Sequence, residues 1–251
     1  MLTNVEVWYG ITKGEIDELE EIDKLLIRRI LEAPTSACIE SLYLELGLIP
    51  IRFIIMARRV NFLQSLLKMD TNDMCSKMLR AQWEYPVKND WTNQVQEDLN
   101  ELNIDLSLEE IKKKSENSFK RLVKIKTEEL ALDYLLNLKE NHTKMDNIHY
   151  SQLKMQMYLK SDKIPVNEAK NIYKFRTRVA KFKENFKNGN VSIACPMCHL
   201  QPDTQEHSLV CQSVKSKITI EGAYSDIFQE NVHSNLSKTL MKIIELRKDL
   251  M

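Results

Sequence analysis

Four metal-ligating side chains near the end of the sequence constrain its folding more than any other feature. Cys195 and Cys198 are separated by two residues, and His207 and Cys211 follow with three residues between them. Three thiolates and one imidazole make a complete tetrahedral ligand set for zinc. We therefore predict a structural zinc ion (Zn2+) as cofactor. Because protein fills all four positions and leaves none for water, the pattern argues against a catalytic metal.

The residues between the two ligand pairs predict how the local structure presents them. The first pair fits a tight turn. Asp203 and Glu206 have the spacing of a capping box, which predicts a helix with Asp203 as its N-cap. His207 and Cys211 are then four residues apart on one face of that helix. A turn and a helix can thus supply two ligands each.

Alternative interpretations of these residues are weaker. A Cys-x-x-Cys redox pair is typical of a βαβ setting, and the sequence shows none. A disulfide is disfavoured because no signal peptide is visible and the five cysteines are an odd number. His199 directly follows Cys198, too close to complete the same tetrahedron easily, so we assign His207 as the fourth ligand.

The composition predicts a mainly α-helical protein. Charged residues make up 29% of the 251 residues, whereas there are only 5 glycines and 6 prolines, which favours long helices joined by short loops. No apolar run is long enough to cross a bilayer. We therefore expect an intracellular protein of the nucleus or cytoplasm with no membrane partner. Because 36 basic residues balance 36 acidic ones, any nucleic-acid contact must come from local patches.

Hydrophobic periodicity predicts the order of the helices. The segment from Pro50 to Leu63 is apolar on most of its circumference and is expected to be the central, most buried helix. Its Arg52 and Arg59 either reach solvent from a core helix or contact phosphate. A capping box at Ser107 begins a helical pattern that continues to about residue 139. Predicted helices begin near Thr12, Ser36, Pro50, Asp70, Trp91, Ser107 and Pro165.

These helices suggest three regions. Residues 1–85 form a helical, bundle-like N-terminal unit, and residues 86–164 form a long helical connector. Residues 165–251 hold a basic helix, the small CCHC zinc module and a C-terminal helix. His142 and His149 lie in polar surroundings without ligand partners at metal spacing, and we interpret them as surface residues.

The helix predicted from Pro165 to Phe186 is rich in basic residues and leads directly into the zinc module. Point charges beside a rigid platform suit binding to RNA or single-stranded DNA. The alternative is an ordinary amphipathic helix with a solvated basic face and an aromatic core face. The candidate nucleic-acid-binding residues are Lys174, Arg176, Arg178, Lys181 and Lys183.

Several segments in combination resemble non-LTR retrotransposon reverse transcriptases. The segment Leu42–Arg59 resembles the region beyond the polymerase palm of that family, and so do the shorter stretches Trp8–Gly10 and Ile30–Thr35. The Lys174–Arg178 stretch and the residues around the four metal ligands resemble the family's C-terminal CCHC module. The resemblance covers most of the chain, although residues 90–165 match only loosely.

The resemblance implies a thumb-like helical region at residues 1–85 followed by the zinc-binding tail of a reverse transcriptase. The family's polymerase site carries a Phe/Tyr-x-Asp-Asp motif that holds two metal ions, and this sequence contains no Asp-Asp pair. The palm and fingers would precede Met1. We therefore expect a non-enzymatic fragment whose partners are RNA or single-stranded DNA and the remainder of a retroelement polyprotein. The alternative is a helical protein–protein interaction module with a purely structural zinc site.

Overall fold

The protein is mainly α-helical, as the composition predicts. The computed structural model describes residues 2–8, 10–88, 90–142, 145–186, 193–229 and 234–248. Within these ranges there are 12 α-helices and no β-strand. None of the described helices is long and apolar enough to span a membrane. The helices are α1 (Lys13–Leu31), α2 (Ile39–Leu46), α3 (Ile51–Lys68), α4 (Met74–Glu84), α5 (Trp91–Glu101), α6 (Leu108–Lys113), α7 (Glu116–Lys139), α8 (Met157–Lys160), α9 (Val166–Arg176), α10 (Gln205–Val210), α11 (Gln212–Lys215) and α12 (Ser234–Lys248).

The chain divides into two compact units. Unit 1 consists of Met1–Lys24 and Ile49–Tyr134, and unit 2 consists of Leu25–Leu48 and Leu135–Met251. Each unit therefore combines segments that are distant in sequence. From the sequence we predict that residues 1–85, 86–164 and 165–251 are three separate regions. These boundaries stay a prediction.

Helix α3 is the centre of unit 1, as its apolar sequence predicts. It packs against α4, α5 and α6 and against a short 3-10 turn at Val5–Val7. Its Phe53 packs edge-on against Tyr134, and its Phe62 packs edge-on against Trp91. Buried apolar residues on most sides of one helix explain why the other elements of this unit surround it.

Two of the three arginines of α3, Arg52 and Arg59, bind carboxylates of unit 1. Arg59 is buried, and its Nε and Nη2 atoms donate to the two carboxylate oxygens of Asp98 at 2.7 and 2.9 Å. Arg52 forms the same type of fork with Glu20, with both distances at 2.7 Å. These guanidinium groups are held in bidentate ion pairs, so we do not assign a phosphate contact to them.

Unit 2 is organised around a buried carboxylate on α2. Glu45 accepts hydrogen bonds from the hydroxyls of Tyr150 and Tyr158 at 2.6 and 2.7 Å. Arg176, on α9, donates from Nε to the same carboxylate at 2.9 Å. Helix α9 in turn packs against α8 and α12. The network thus joins α2, α8, α9 and the segment before α8 in one buried cluster.

The basic helix is shorter than the sequence predicts. Helix α9 ends at Arg176, and Arg178 has a left-handed backbone with φ 54°. The N–H groups of Val179 and Ala180 then donate back to the carbonyl of Lys174 at 2.9 and 3.0 Å. Because Phe182 folds back to pack edge-on against Phe175, tertiary packing wins over continued helix formation. The prediction of a single helix from Pro165 to Phe186 is therefore wrong.

Candidate metal centre

The structure brings the four predicted metal ligands together in unit 2. The ligand atoms of Cys195, Cys198, His207 and Cys211 all lie within 4.8 Å of one another. Cys198 Sγ is 3.3 Å from His207 Nε2, which identifies Nε2 as the imidazole atom that faces the cluster. A tetrahedral zinc site with bonds of about 2.1–2.3 Å separates its ligand atoms by roughly 3.5 Å. The cluster could therefore hold a metal ion, and its donor set is compatible with zinc.

A short hairpin-like turn presents the first two ligands. Ala194 and Pro202 form an isolated antiparallel bridge, and the Cys195 N–H donates to the carbonyl of Gln201 at 2.8 Å. His199 has φ 57°, is exposed and does not belong to the ligand cluster. Its own N–H donates to the carbonyl of Cys195 at 2.9 Å, which closes the turn around the first ligand. His199 thus acts through its backbone, and the structure places His207 in the cluster.

Backbone amides point at the sulfurs of this turn. The N–H groups of Leu200 and Gln201 and the imidazole of His207 lower the pKa of the Cys198 thiol to about 6, with Leu200 as the largest cause. Burial raises the pKa of the Cys195 thiol, and hydrogen bonds from the amides of Cys198 and Met197 oppose that effect. Amide donors favour the thiolate form that a metal requires.

The second ligand pair lies on α10, but a different residue begins this helix. Thr204 is the N-cap, and its hydroxyl accepts from the His207 N–H at 2.9 Å. The prediction of Asp203 as N-cap is wrong because Arg247 occupies the Asp203 carboxylate in a buried fork at 2.7 and 2.8 Å. Cys211 follows α10 directly, and its N–H donates to the carbonyl of His207 at 2.8 Å.

The predicted nucleic-acid-binding residues are not on one exposed face. Arg176 is only 2% exposed and is committed to Glu45, so it is not available to a polyanion and its prediction as a nucleic-acid-binding residue is wrong. Arg178 is partly exposed and pairs with Glu206 at 2.7 Å. Lys181 and Lys183 are exposed, whereas Lys174 is half-buried.

A groove on unit 2 collects several of the basic residues. It has a volume of about 630 Å³ and lies between the α9 segment and α12. It is lined by four lysines, Lys170, Lys174, Lys181 and Lys248. The acidic side chains in the wall are Glu32 and Glu245. Lys248 could not have been found from the sequence because α12 meets α9 only in the tertiary structure.

A second group of ligand-type side chains in unit 2 was also missed from the sequence. Cys38, Glu40 and His142 place one ligand atom each within 4.8 Å of the others. The His142 side chain is 42% exposed, in agreement with its interpretation as a surface residue, but the structure gives it two neighbours of metal-ligand type. Its partners lie far away in the sequence, so no spacing rule could have identified them.

Comparison of the chain with protein-family models, curated proteins and solved structures finds no significant match.

Proposed function

We propose that Cys195, Cys198, His207 and Cys211 bind one structural zinc ion and that unit 2 thereby forms a zinc-stabilised module for binding RNA or single-stranded DNA. The convergence of three sulfurs and one imidazole nitrogen within 4.8 Å is the observation that carries this proposal. Soft thiolate ligands with an imidazole favour zinc over magnesium or calcium. With four protein ligands, zinc would hold the turn and α10 together rather than perform chemistry.

The groove supports the nucleic-acid part of the proposal. Lys170, Lys174, Lys181 and Lys248 contribute four amino groups to one surface depression, against the two carboxylates of Glu32 and Glu245. A positively charged groove that follows the backbone is the usual way to bind single strands without sequence preference. Lys183 lies nearer the metal cluster, where its amino group donates to the carbonyl of Ala194 at 3.2 Å.

Lysines in this groove are close enough to influence one another. Burial lowers the pKa of Lys174, and the positive charges of Lys170 and Lys181 lower it further, while Glu32 opposes them. A bound phosphate would relieve this repulsion, because it brings negative charge between like-charged groups. A bound polyanion would therefore stabilise these closely spaced lysines.

Binding to labelled single-stranded RNA and DNA, measured as a function of salt, tests the groove. The double variant Lys174→Gln/Lys181→Gln should weaken binding at low salt. It should also flatten the dependence of log affinity on log salt by about 0.7 for each phosphate that the variant no longer neutralises. The matched control is Lys113→Gln/Lys124→Gln, which removes two exposed lysines of unit 1. Equal affinity and equal slope in both double variants would refute the groove as the binding site.

Metal analysis of the purified protein tests the zinc site separately. One tightly bound zinc should disappear from the CCHC site in Cys198→Ser and in His207→Ala, while His199→Ala should retain it. Retention in His207→Ala together with loss in His199→Ala would identify His199 as the ligand instead.

A protein–protein interaction module with a structural zinc is the second candidate function. It is favoured by the pairing of basic residues with carboxylates of unit 2: Lys170 contacts Glu32 at 2.7 Å, and Arg178 contacts Glu206 at 2.7 Å. Charges neutralised within the protein attract a polyanion less strongly. Absence of any salt-dependent binding to nucleic acid, with zinc content intact, would favour this alternative.

On the resemblance to non-LTR retrotransposon reverse transcriptases, we propose that the chain corresponds to the non-enzymatic thumb-to-zinc tail of such a polyprotein, acting in the nucleus or cytoplasm. The genomic DNA preceding the codon for Met1 tests this origin. An in-frame segment encoding a Phe/Tyr-x-Asp-Asp palm motif is the expected result. An unrelated reading frame there would remove the support for a retroelement source.

A further inference from the structure

A cysteine, a glutamate and a histidine meet at the N-terminus of α2. Cys38 is the N-cap of this helix, and its Sγ lies 2.7 Å from Glu40 Oε2. His142, which follows α7, places its Nε2 at 3.4 Å from the same carboxylate oxygen. All three ligand atoms lie within 4.8 Å of one another, as in the CCHC cluster.

The carboxylate of Glu40 is buried beside a thiol, which is an unusual environment for a carboxylate. It is only 7% exposed, and a buried carboxylate requires a cation or several hydrogen-bond donors. The described residues bring it the Cys38 thiol and the His142 imidazole. A divalent ion bound between these two groups would supply a positive charge beside the buried carboxylate.

The backbone around Cys38 influences its thiol in the same direction as the backbone of the CCHC turn. Burial raises the pKa of the Cys38 thiol, and the amides of Ser41 and Glu40 oppose that rise, although Cys38 makes no side-chain cap hydrogen bond at the start of α2. At Cys195 the corresponding amides belong to Met197 and Cys198, and at Cys198 they belong to Leu200 and Gln201. At all three cysteines the backbone amides thus act in the direction that favours the thiolate, although at Cys38 burial and the adjacent Glu40 outweigh them.

We propose that Cys38, Glu40 and His142 form a second transition-metal site, with three protein ligands and one position open to water. A sulfur, a carboxylate oxygen and an imidazole nitrogen are the ligand types found at zinc sites. The His142 side chain is 42% exposed, so solvent reaches this member of the cluster. Three protein ligands with one open position distinguish this site from the closed CCHC cluster.

Metal binding at this site would replace a proton. Without metal, the Cys38 thiol donates its proton to Glu40 Oε2, with the sulfur and the oxygen 2.7 Å apart. A bound zinc ion converts the thiol to a thiolate and releases that proton to solvent. The S···O distance must then widen from 2.7 Å to roughly 3.5 Å, which a rotation of the Glu40 side chain can provide.

Titration of the metal-free full chain with Co2+, followed by equilibrium dialysis with Zn2+, tests the proposal. We expect two equivalents of metal per chain, the second with a sulfur-to-cobalt charge-transfer band. Cys38→Ser should lose one equivalent, that band and one released proton. His142→Ala changes a partly exposed side chain, so it is expected to fold, and it too should lose or strongly weaken one equivalent. Cys75→Ser, which removes an exposed cysteine elsewhere in the chain, is the matched control and should keep both.

The outcomes distinguish this site from the CCHC cluster. Loss of one equivalent in Cys38→Ser and of the other in Cys198→Ser supports two independent sites. A single equivalent that persists in both Cys38→Ser and His142→Ala overturns the proposal and leaves the CCHC assignment intact. A single equivalent that persists in Cys198→Ser but is lost in His142→Ala supports the second site and refutes the first.

Discussion

Single buried polar residues determine how the segments of unit 2 meet. Glu45 is fully buried and satisfies two tyrosine hydroxyls and one guanidinium with its two oxygens. Arg176 also donates from Nη1 to the backbone carbonyls of Ile227 and Gln229. Because every member is paired, the network can be buried without an orphaned charge, and it prescribes one arrangement of these segments.

Removal of one member should therefore be costly. We expect Glu45→Gln to lower the free energy of unfolding by about 3–5 kcal/mol, because it leaves the Arg176 guanidinium buried without its counterion. Urea denaturation followed by circular dichroism measures the change. Glu84→Gln, at an exposed position on α4, is the control and should have little effect. A cost below about 1 kcal/mol for Glu45→Gln would contradict the structural role of the network.

Gly47 shows a second constraint at the scale of one residue. It ends α2 with φ 63°, and a Cβ added to it would lie 2.1 Å from the backbone nitrogen of Met155. Gly10 has a similar φ of 67° but has no atom within 4 Å of an added Cβ. A comparison of the two glycines therefore distinguishes the cost of a left-handed backbone from the cost of a steric clash with an added Cβ atom.

The pair provides a matched test. Gly10→Ala should cost only the left-handed backbone strain, about 1–2 kcal/mol. Gly47→Ala should cost clearly more, because backbone rather than a flexible side chain must move. Urea denaturation of the two variants compares them directly. Equal costs would show that residues 154–155 do not pack closely against Gly47 in solution.

At the scale of elements, local hydrogen bonds decide where several helices begin. The capping box predicted at Ser107 is confirmed: Glu110 N–H donates to Ser107 Oγ at 3.3 Å, and Ser107 N–H donates to Glu110 Oε2 at 2.8 Å. By contrast, the end of α9 depends on the packing of Phe182 against Phe175, and no capping motif in the sequence predicts this helix end. Helix starts were thus easier to predict than this helix end.

The capping box yields a prediction about pH. Ser107→Ala should destabilise α6 by about 1 kcal/mol at neutral pH. Hydrogen bonds from Ser107, side chain first and backbone second, lower the pKa of Glu110 below 4.5. A lowered folded-state pKa means that the box stabilises α6 above pH 4.5 and that this contribution is lost as the pH falls through the folded-state pKa. Urea denaturation at pH 7 and pH 3 measures the loss of stability caused by Ser107→Ala. An equal loss at both pH values would contradict this pH dependence.

At the scale of the whole molecule, metal binding and folding should be coupled in only one part of the chain. All four CCHC ligands belong to unit 2 and lie on a short turn and α10, which bury little apolar surface of their own. A small module of this kind gains much of its stability from the metal. The core around α3 has no CCHC ligand and is expected to remain folded without zinc.

Hydrogen exchange with and without chelator is the measurement. We expect amide protection to fall in residues 193–215 on metal removal and to stay unchanged in α3. Protein treated with chelator and then resupplied with zinc is the control and should recover its protection. Equal loss of protection across Ile51–Lys68 would contradict this separation and would show that the chain unfolds as a single cooperative body.

The sequence by itself determined the features whose causes are local. The CCHC ligands lie within a short stretch, so their spacing alone predicted that they would meet. The capping box at Ser107 depends on residues within one turn, and the apolar circumference of α3 predicted its central position. Such features can be predicted because backbone geometry relates near neighbours in a fixed way.

Only the tertiary structure decided which charged residues are free and which are committed. Arg176 resembled a surface cation in sequence, yet it is buried against Glu45, and Asp203 resembled a helix cap but pairs with Arg247. His142 resembled an ordinary surface histidine until folding placed it beside Cys38 and Glu40. These pairings join residues that are distant along the chain. No local pattern encodes them, because the partner of a buried charge is chosen by the packing of whole helices.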